Sequence, residues 1–196
     1  MEATHNATRA NSTVTRMTSP RFFGYGSLVN RATHDYPEVR KTQVSGWARA
    51  WRHTDLREVA FLTAVPDANA TIEGLTAAVP DNDWAALDER EFAYERIALE
   101  THAETAIYAI PAEKHTAASV AHPILLSYLD VVVQGYLNEF GEAGAALFFA
   151  TTHGWSAPIL NDRATPFYPR HQVLTADERT FVDEALSALN CTVIDT

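Results

Sequence analysis

Two groups of residues in this 196-residue chain have the types and spacing for chemistry. The first is a carboxylate on a short helix. Trp84, Leu87 and Glu91 stand at i, i+3 and i+7 in Trp84-Ala85-Ala86-Leu87-Asp88-Glu89-Arg90-Glu91, so the face that packs Trp and Leu inward carries Glu91 with it. A carboxylate drawn out of water toward aromatic neighbours has its charged form disfavoured, which suits a group that takes and returns a proton near neutrality. The competing reading is an ion pair at the core edge, with Arg49 or Arg96 as partner. Asp88 and Glu89 read as solvated. The second group is Phe22-Phe23-Gly24-Tyr25-Gly26-Ser27-Leu28, an apolar strand that breaks into glycine and serine. Its glycines allow a sharp turn and close approach of a ligand to main-chain amides.

The elements that must position these groups can be read from the pattern. Gln43 to His53, Val59 to Val65 and Thr71 to Val79 read as strands, with Pro66 to Asn69 as the turn between the last two. Pro80-Asp81-Asn82-Asp83 opens the short helix, expected from Trp84 to about Phe92. Tyr94 to Thr101 and Thr105 to Ile110 return to strand character. Helical spacing runs from Ser119 to Phe149, with Ile124, Leu125, Tyr128, Val131, Val132, Gly135 and Tyr136 on one stripe and a division near Gly141. His153 to Arg170 is proline-rich and irregular, and Thr175-Ala176-Asp177-Glu178 is a capping box opening a last amphipathic helix. Strands first and helices later predict an α+β fold, with a mixed, mainly antiparallel sheet closed or nearly closed into a barrel and helices packed around it. Residues 1–20 lack apolar periodicity and read as a disordered leader, leaving 21–196 as one domain.

Composition removes several classes. A net charge of −10 and only two lysines, Lys41 and Lys114, leave no basic run for a phosphate backbone, so nucleic acid is not an expected partner. No apolar run is long enough to span a bilayer, and no secretory signal opens the chain, so no membrane partner is expected and the location reads as cytoplasmic. The lone Cys191 forms no internal bridge and reads as an idle or buried thiol. Eight scattered histidines without i, i+4 pairs or cysteine partners support no metal site. Val29 stands where a dinucleotide fingerprint needs its third glycine, so no dinucleotide site is expected. Gly154-Trp155-Ser156-Ala157-Pro158 lacks the closing glycine of a nucleophile elbow, and Ser27 has no assigned base. The sequence carries no signal for oligomeric state.

Gly24-Tyr25-Gly26-Ser27-Leu28, then Val44-Ser45-Gly46 with Arg49, then Leu87-Asp88-Glu89-Arg90-Glu91 with Tyr94, in that order and spacing, resemble the gamma-glutamylcyclotransferase superfamily, including its AIG2-like and ChaC-like members. The resemblance covers roughly Phe22 to Gly135 and implies cofactor-independent closure of a γ-glutamyl group to 5-oxoproline with release of an amine. It implies that Glu91 is the acid/base and that Tyr25, Gly26, Ser27 and Leu28 bind substrate through main-chain amides. Tyr128, seven residues before Gly135, matches a pocket-facing tyrosine. The implied partner is a small γ-glutamyl peptide, amine or glutathione-like compound. Two other readings stand beside this one: a non-catalytic small-molecule binding or regulatory module using the same pocket, and a transferase or lyase for a different γ-glutamyl conjugate. Phe92 and Ala93 depart from the family, where a small residue or glycine is common. Phe92 is expected to pack beneath the helix, with narrowing of the pocket as its other role. The segment from Trp155 to Arg170 either covers one rim of the site or is a surface strap packed by Trp155 and Phe167.

Overall fold

The computed structural model describes residues 19–195. The expected leader falls outside them except for Ser19 and Pro20, and the Pro20 carbonyl already accepts the Val79 amide at 2.7 Å. The chain then runs β1 (Arg21–Gly24), two 3-10 turns (Ser27–Val29 and Arg31–Thr33), β2 (Arg40–Thr54), β3 (Arg57–Ala78), α1 (Ala85–Arg90), β4 (Glu95–Ala98) and β5 (Thr105–Ala109). After these come β6 (Thr116–Ala117), β7 (Ile124–Leu125), α2 (Leu126–Thr151), β8 (Thr152–His153), β9 (Ile159–Asn161), α3 (Ala176–Ala188) and β10 (Val193–Asp195).

The main sheet has the order β4-β5-β1-β3-β2-β6, with β8 added alongside β2. It is mixed, because β1 runs parallel to β5 and antiparallel to β3, and it curls into a half-barrel. This is the α+β architecture expected from the pattern. A second, three-stranded parallel sheet, β10-β9-β7, binds the C-terminal segment to the start of α2.

Two expected boundaries differ. Pro66 to Asn69 is no turn; β3 continues through it, and the hairpin turns instead at Asp55-Leu56, where Thr54 pairs with Arg57. The ladder shifts register between Ser45 and Trp47, around Gly46 at φ +87°, and Pro66 pairs with Trp47 next to that bulge. A proline is tolerated beside a bulge because the ladder is already interrupted there. The long helix also begins later than its stripe suggests. Ile124 and Leu125 are drawn into parallel pairing with Ile159 and Leu160, and the helix starts at Leu126. Its division falls where expected, at Gly141 (φ +70°).

β1 is buried on both faces, since alternate residues of a strand point opposite ways. Phe23 joins the main core with Val29, Leu62, Leu75, Leu129, Val132 and Tyr136, against α2. Phe22 packs outward with Leu28, Val79, Leu87 and Tyr108, and this second cluster seats α1 on the sheet. Arg49 of β2 is 1% exposed. Its guanidinium donates to the Tyr136 hydroxyl (2.8 Å), the Glu73 carbonyl (3.1 Å), Thr151 Oγ1 (2.8 Å) and Thr152 Oγ1 (3.2 Å). It thereby ties both strands of the hairpin to α2.

Arg49→Ala removes a charged donor from four acceptors and leaves a void, so we expect a loss of about 3 kcal/mol or more. The urea midpoint at unchanged m value measures it.

Candidate active site

The loop after β1 is shaped by close approach. A Cβ on Gly24 would lie 2.4 Å from Leu28 Cβ, and one on Gly26 would lie 2.8 Å from the Tyr128 hydroxyl. The 3-10 turn uses the Val29 and Asn30 amides, which donate to the Gly26 and Ser27 carbonyls at 2.9 and 3.1 Å. Among the described residues the amides before them have no such backbone partner, as at the start of any helical turn. Asn30 seats the loop on α2: its amide group donates to the Val131 carbonyl (2.9 Å) and Gln134 Oε1 (3.0 Å). Its main chain lies where a Cβ on Gly135 would come within 2.9 Å.

Tyr25 holds the loop from below. Its hydroxyl donates to the Tyr108 carbonyl (2.6 Å) and accepts the Ala64 amide (2.8 Å), and its carbonyl accepts from the Tyr136 hydroxyl at 3.0 Å. With that hydroxyl committed, Tyr25 offers a ligand its main chain only.

Glu91 sits one residue past the last turn of α1, where its amide bonds the Leu87 carbonyl at 2.9 Å. Leu87, fully buried, fixes the helix, and the Glu91 side chain is 15% exposed. Its ion pair is with neither Arg49 nor Arg96 but with the adjacent Arg90, Nε to Oε1 at 3.2 Å. The same guanidinium donates to Ser27 Oγ (3.2 Å), the Thr33 carbonyl (2.9 Å) and Thr33 Oγ1 (3.0 Å), so α1 and the loop are clamped through it. Arg96 is taken up by Asp88 instead, at 2.9 Å, and Asp88 also accepts from the Tyr108 hydroxyl. Burial pushes the Glu91 carboxyl above the ordinary carboxylate range, against the opposing pull of Arg90 and then Arg170.

These groups face one cavity of about 150 Å³, lined among others by Ser27, Arg57, Phe61, Leu62, Arg90, Glu91, Phe92, Tyr94, Tyr128, Tyr168 and Arg170. A narrower recess of about 20 Å³ shares Ser27, Leu62, Glu91, Tyr94 and Tyr128 with it and adds Gly24, Tyr25, Gly26 and Leu28. All six residues singled out from the sequence therefore meet here. Tyr94 donates to the Leu62 carbonyl at 2.9 Å; burial raises the hydroxyl pKa of both Tyr94 and Tyr128, so both stay protonated donors.

The matching family model spans residues 22–125, described as gamma-glutamyl cyclotransferase, AIG2-like, which is more than half of the chain. The chain belongs to the gamma-glutamyl cyclotransferase, AIG2-like family. A solved gamma-glutamyl cyclotransferase shares 12% identity over 85% of this chain and 99% of its own, with a TM-score of 0.51. YkqA from Bacillus subtilis shares 15% identity over 69% of this chain, with a TM-score of 0.51, and the match spans 56% of its own length. These two likenesses establish the fold. No curated protein sequence matches the chain.

Against the family pattern, Phe92 is placed differently from its expected position beneath the helix. It is 58% exposed and lines the cavity, with the Arg57 guanidinium 5.2 Å from its ring centroid. It stands past the helix end, where the backbone no longer returns side chains to the sheet. The C-terminal segment does reach the rim. Asp162, buried, accepts the Ser127 amide (2.7 Å) and hydroxyl (2.5 Å), satisfying an orphan donor of the uncapped first turn of α2, and also the Phe167 amide (2.9 Å). Tyr168 then meets the edge of Tyr128 at 4.9 Å between ring centroids. Trp155 packs on Phe149 as a strap residue should, whereas Phe167 is exposed. Sequence reasoning missed Arg90, whose only signal is adjacency to Glu91, and the wall residues Arg57 and Leu62, which follow from the curl of β3.

Two outcomes are expected. Asp162→Ala should cost about 2–3 kcal/mol, the scale of hydrogen bonds to a charged acceptor, read by chemical denaturation. Glu91 should titrate by carboxyl NMR above the ordinary carboxylate range, and higher still in Arg90→Gln, where the opposing charge is gone. Because its folded pKa is raised, the folded state holds the extra proton, so this group's contribution to stability falls as pH rises from the unfolded value through the folded one.

Proposed function

We propose that this chain is a cofactor-independent γ-glutamylcyclotransferase that closes the γ-glutamyl group of a small peptide or amine to 5-oxoproline. The observation that carries the proposal is the meeting of Glu91 with the Gly26-Ser27-Leu28 turn and Tyr128 at one cavity. In this reading the turn's amides and the Tyr128 hydroxyl hold the folded-back glutamyl group, so that its α-nitrogen lies against its own γ-carbonyl carbon. Ring closure is intramolecular, and holding that conformer supplies much of the acceleration.

Glu91, as carboxylate, accepts a proton from the α-ammonium. The freed amine attacks the γ-carbonyl, a C–N bond forms, and the developing oxyanion is met by turn amides. As the tetrahedral carbon collapses, Glu91 returns the first proton to the outgoing nitrogen and the bond to it breaks; the ring nitrogen then sheds its second proton through Glu91 to the released amine, which departs as an ammonium. A pKa raised by burial and restrained by Arg90 fits a group that must do both in one turnover. No redox step occurs, and the proton count closes on the enzyme. A cytoplasmic setting belongs to the same proposal, resting on the lone Cys191; among the described residues no helix is long and apolar enough to cross a membrane.

The test is incubation of the purified protein with γ-glutamyl amino acids, γ-glutamyl amines and glutathione, with 5-oxoproline read by mass spectrometry. Glu91→Gln should lower turnover by about 10²–10⁴-fold, the usual span for a general acid/base, with its thermal unfolding profile retained. Undiminished turnover in that variant would falsify the mechanism, and silence across the panel would leave a binding module.

A further inference from the structure

The part of the cavity not used by the glutamyl group has a distinctive rim. Arg57 opens β3 just after the hairpin turn, and Arg170 arrives on the segment held by Asp162. Both line the cavity with Glu91, and neither has a carboxylate within ion-pairing distance among the described residues. Among the described residues Lys41, Arg49, Arg52 and Arg179 also lack such a partner, but none of these four lines this cavity, whereas Arg90, which does, is paired with Glu91. Arg21, Arg31, Arg40, Arg90, Arg96, Lys114 and Arg163 all find acidic partners.

The Arg57 side chain has an aromatic contact, and the backbone leading to Arg170 is anchored. The Arg57 guanidinium lies 5.2 Å from the Phe92 ring centroid, a contact that occupies one of its faces and leaves its N–H edges for an acceptor. Arg170 follows Tyr168 and Pro169, and Tyr168 is fixed through its amide on Ser127 Oγ (3.3 Å) and its ring on Tyr128. Arg170 lies outside residues 22–125, so this half of the rim is not part of the matched family pattern.

We infer that Arg57 and Arg170 are specificity-determining residues that bind an anionic group on the outgoing amine. The inference rests on the cyclotransferase reading. The substrate class it selects is a γ-glutamyl conjugate whose amine carries a carboxylate, in preference to a neutral γ-glutamyl alkylamide. The Glu91 carboxylate makes the rim arginines more than a general attraction for anions, because a substrate carboxylate stays near them only if it is directed away from Glu91 and toward the mouth. The paired charge also keeps the departing amine oriented while its nitrogen takes the proton from Glu91.

The deciding experiment compares γ-glutamyl-alanine with γ-glutamyl-ethylamine, which differ only by replacement of the carboxylate with hydrogen. The kcat/KM ratio should favour the acid by about tenfold or more in the wild-type protein, the scale of a charge-assisted hydrogen bond. In Arg170→Gln and in Arg57→Gln the ratio should fall toward one, with Arg57→Lys and Arg170→Lys restoring part of it. An equal drop for both substrates would place the arginines on the glutamyl half and overturn the inference, as would a wild-type ratio near one. Absence of 5-oxoproline from both compounds overturns the cyclotransferase reading, and the inference with it.

Discussion

The interaction on which the rest depends is the Tyr136 hydroxyl inside α2. It accepts from Arg49, and its single proton is directed at two carbonyls, those of Tyr25 and Glu73, at 3.0 and 2.7 Å. One oxygen thus joins the helix, both strands of the long hairpin and the loop that opens the cavity. Burial raises the Tyr136 pKa to about 12, so the proton is kept throughout the physiological range. A buried guanidinium with no carboxylate beside it would be costly if its donors were unmet. Here hydroxyls and a carbonyl meet four of them, and the Tyr136 and Phe148 rings lie about 5 Å from its centre. The requirement that these donors stay satisfied fixes where α2 sits, and hence where Tyr128 stands over Gly26.

A similar tension operates at Glu91. Removing a carboxylate from water opposes ionisation, and Arg90 counters it from the adjacent position, while also holding Ser27 and Thr33. The arginine therefore sets two properties together: the proton affinity of Glu91 and its distance from the loop. Separate residues could drift apart as the helix frays at its C-terminal end. A single planar group with several donors keeps them linked.

The parts of this arrangement visible in the sequence are those governed by local rules. The i, i+3, i+7 spacing of Trp84, Leu87 and Glu91 correctly turned Glu91 inward, although the helix ends one residue before it. The Thr175 capping box and the break at Gly141 also follow from local chemistry. Long-range placements could not be read this way. Pro66 reads as a turn until the bulge at Gly46, twenty residues earlier in the chain, is known to sit opposite it. Ile124 and Leu125 fit a helical stripe until strand β9 competes for them. Phe92 could be assigned inward or outward only once the position of the helix end was fixed. In each case the deciding neighbour is distant in sequence, and periodicity carries no information about it.

The small parallel sheet has a temporal consequence. Residues 22–125 contain the loop and Glu91, yet α2 receives an acceptor for its first turn from Asp162, and β7 gains its partner only from β9, which in turn pairs with β10. Parallel strands require long crossover connections, and contacts of that sequence separation form late because loop closure precedes any gain from pairing. During synthesis Glu91 and its loop can collapse while the opposite wall is still missing. The cavity is complete only once the chain has been made as far as Tyr128, Tyr168 and Arg170, so its walls are supplied in two instalments separated along the sequence.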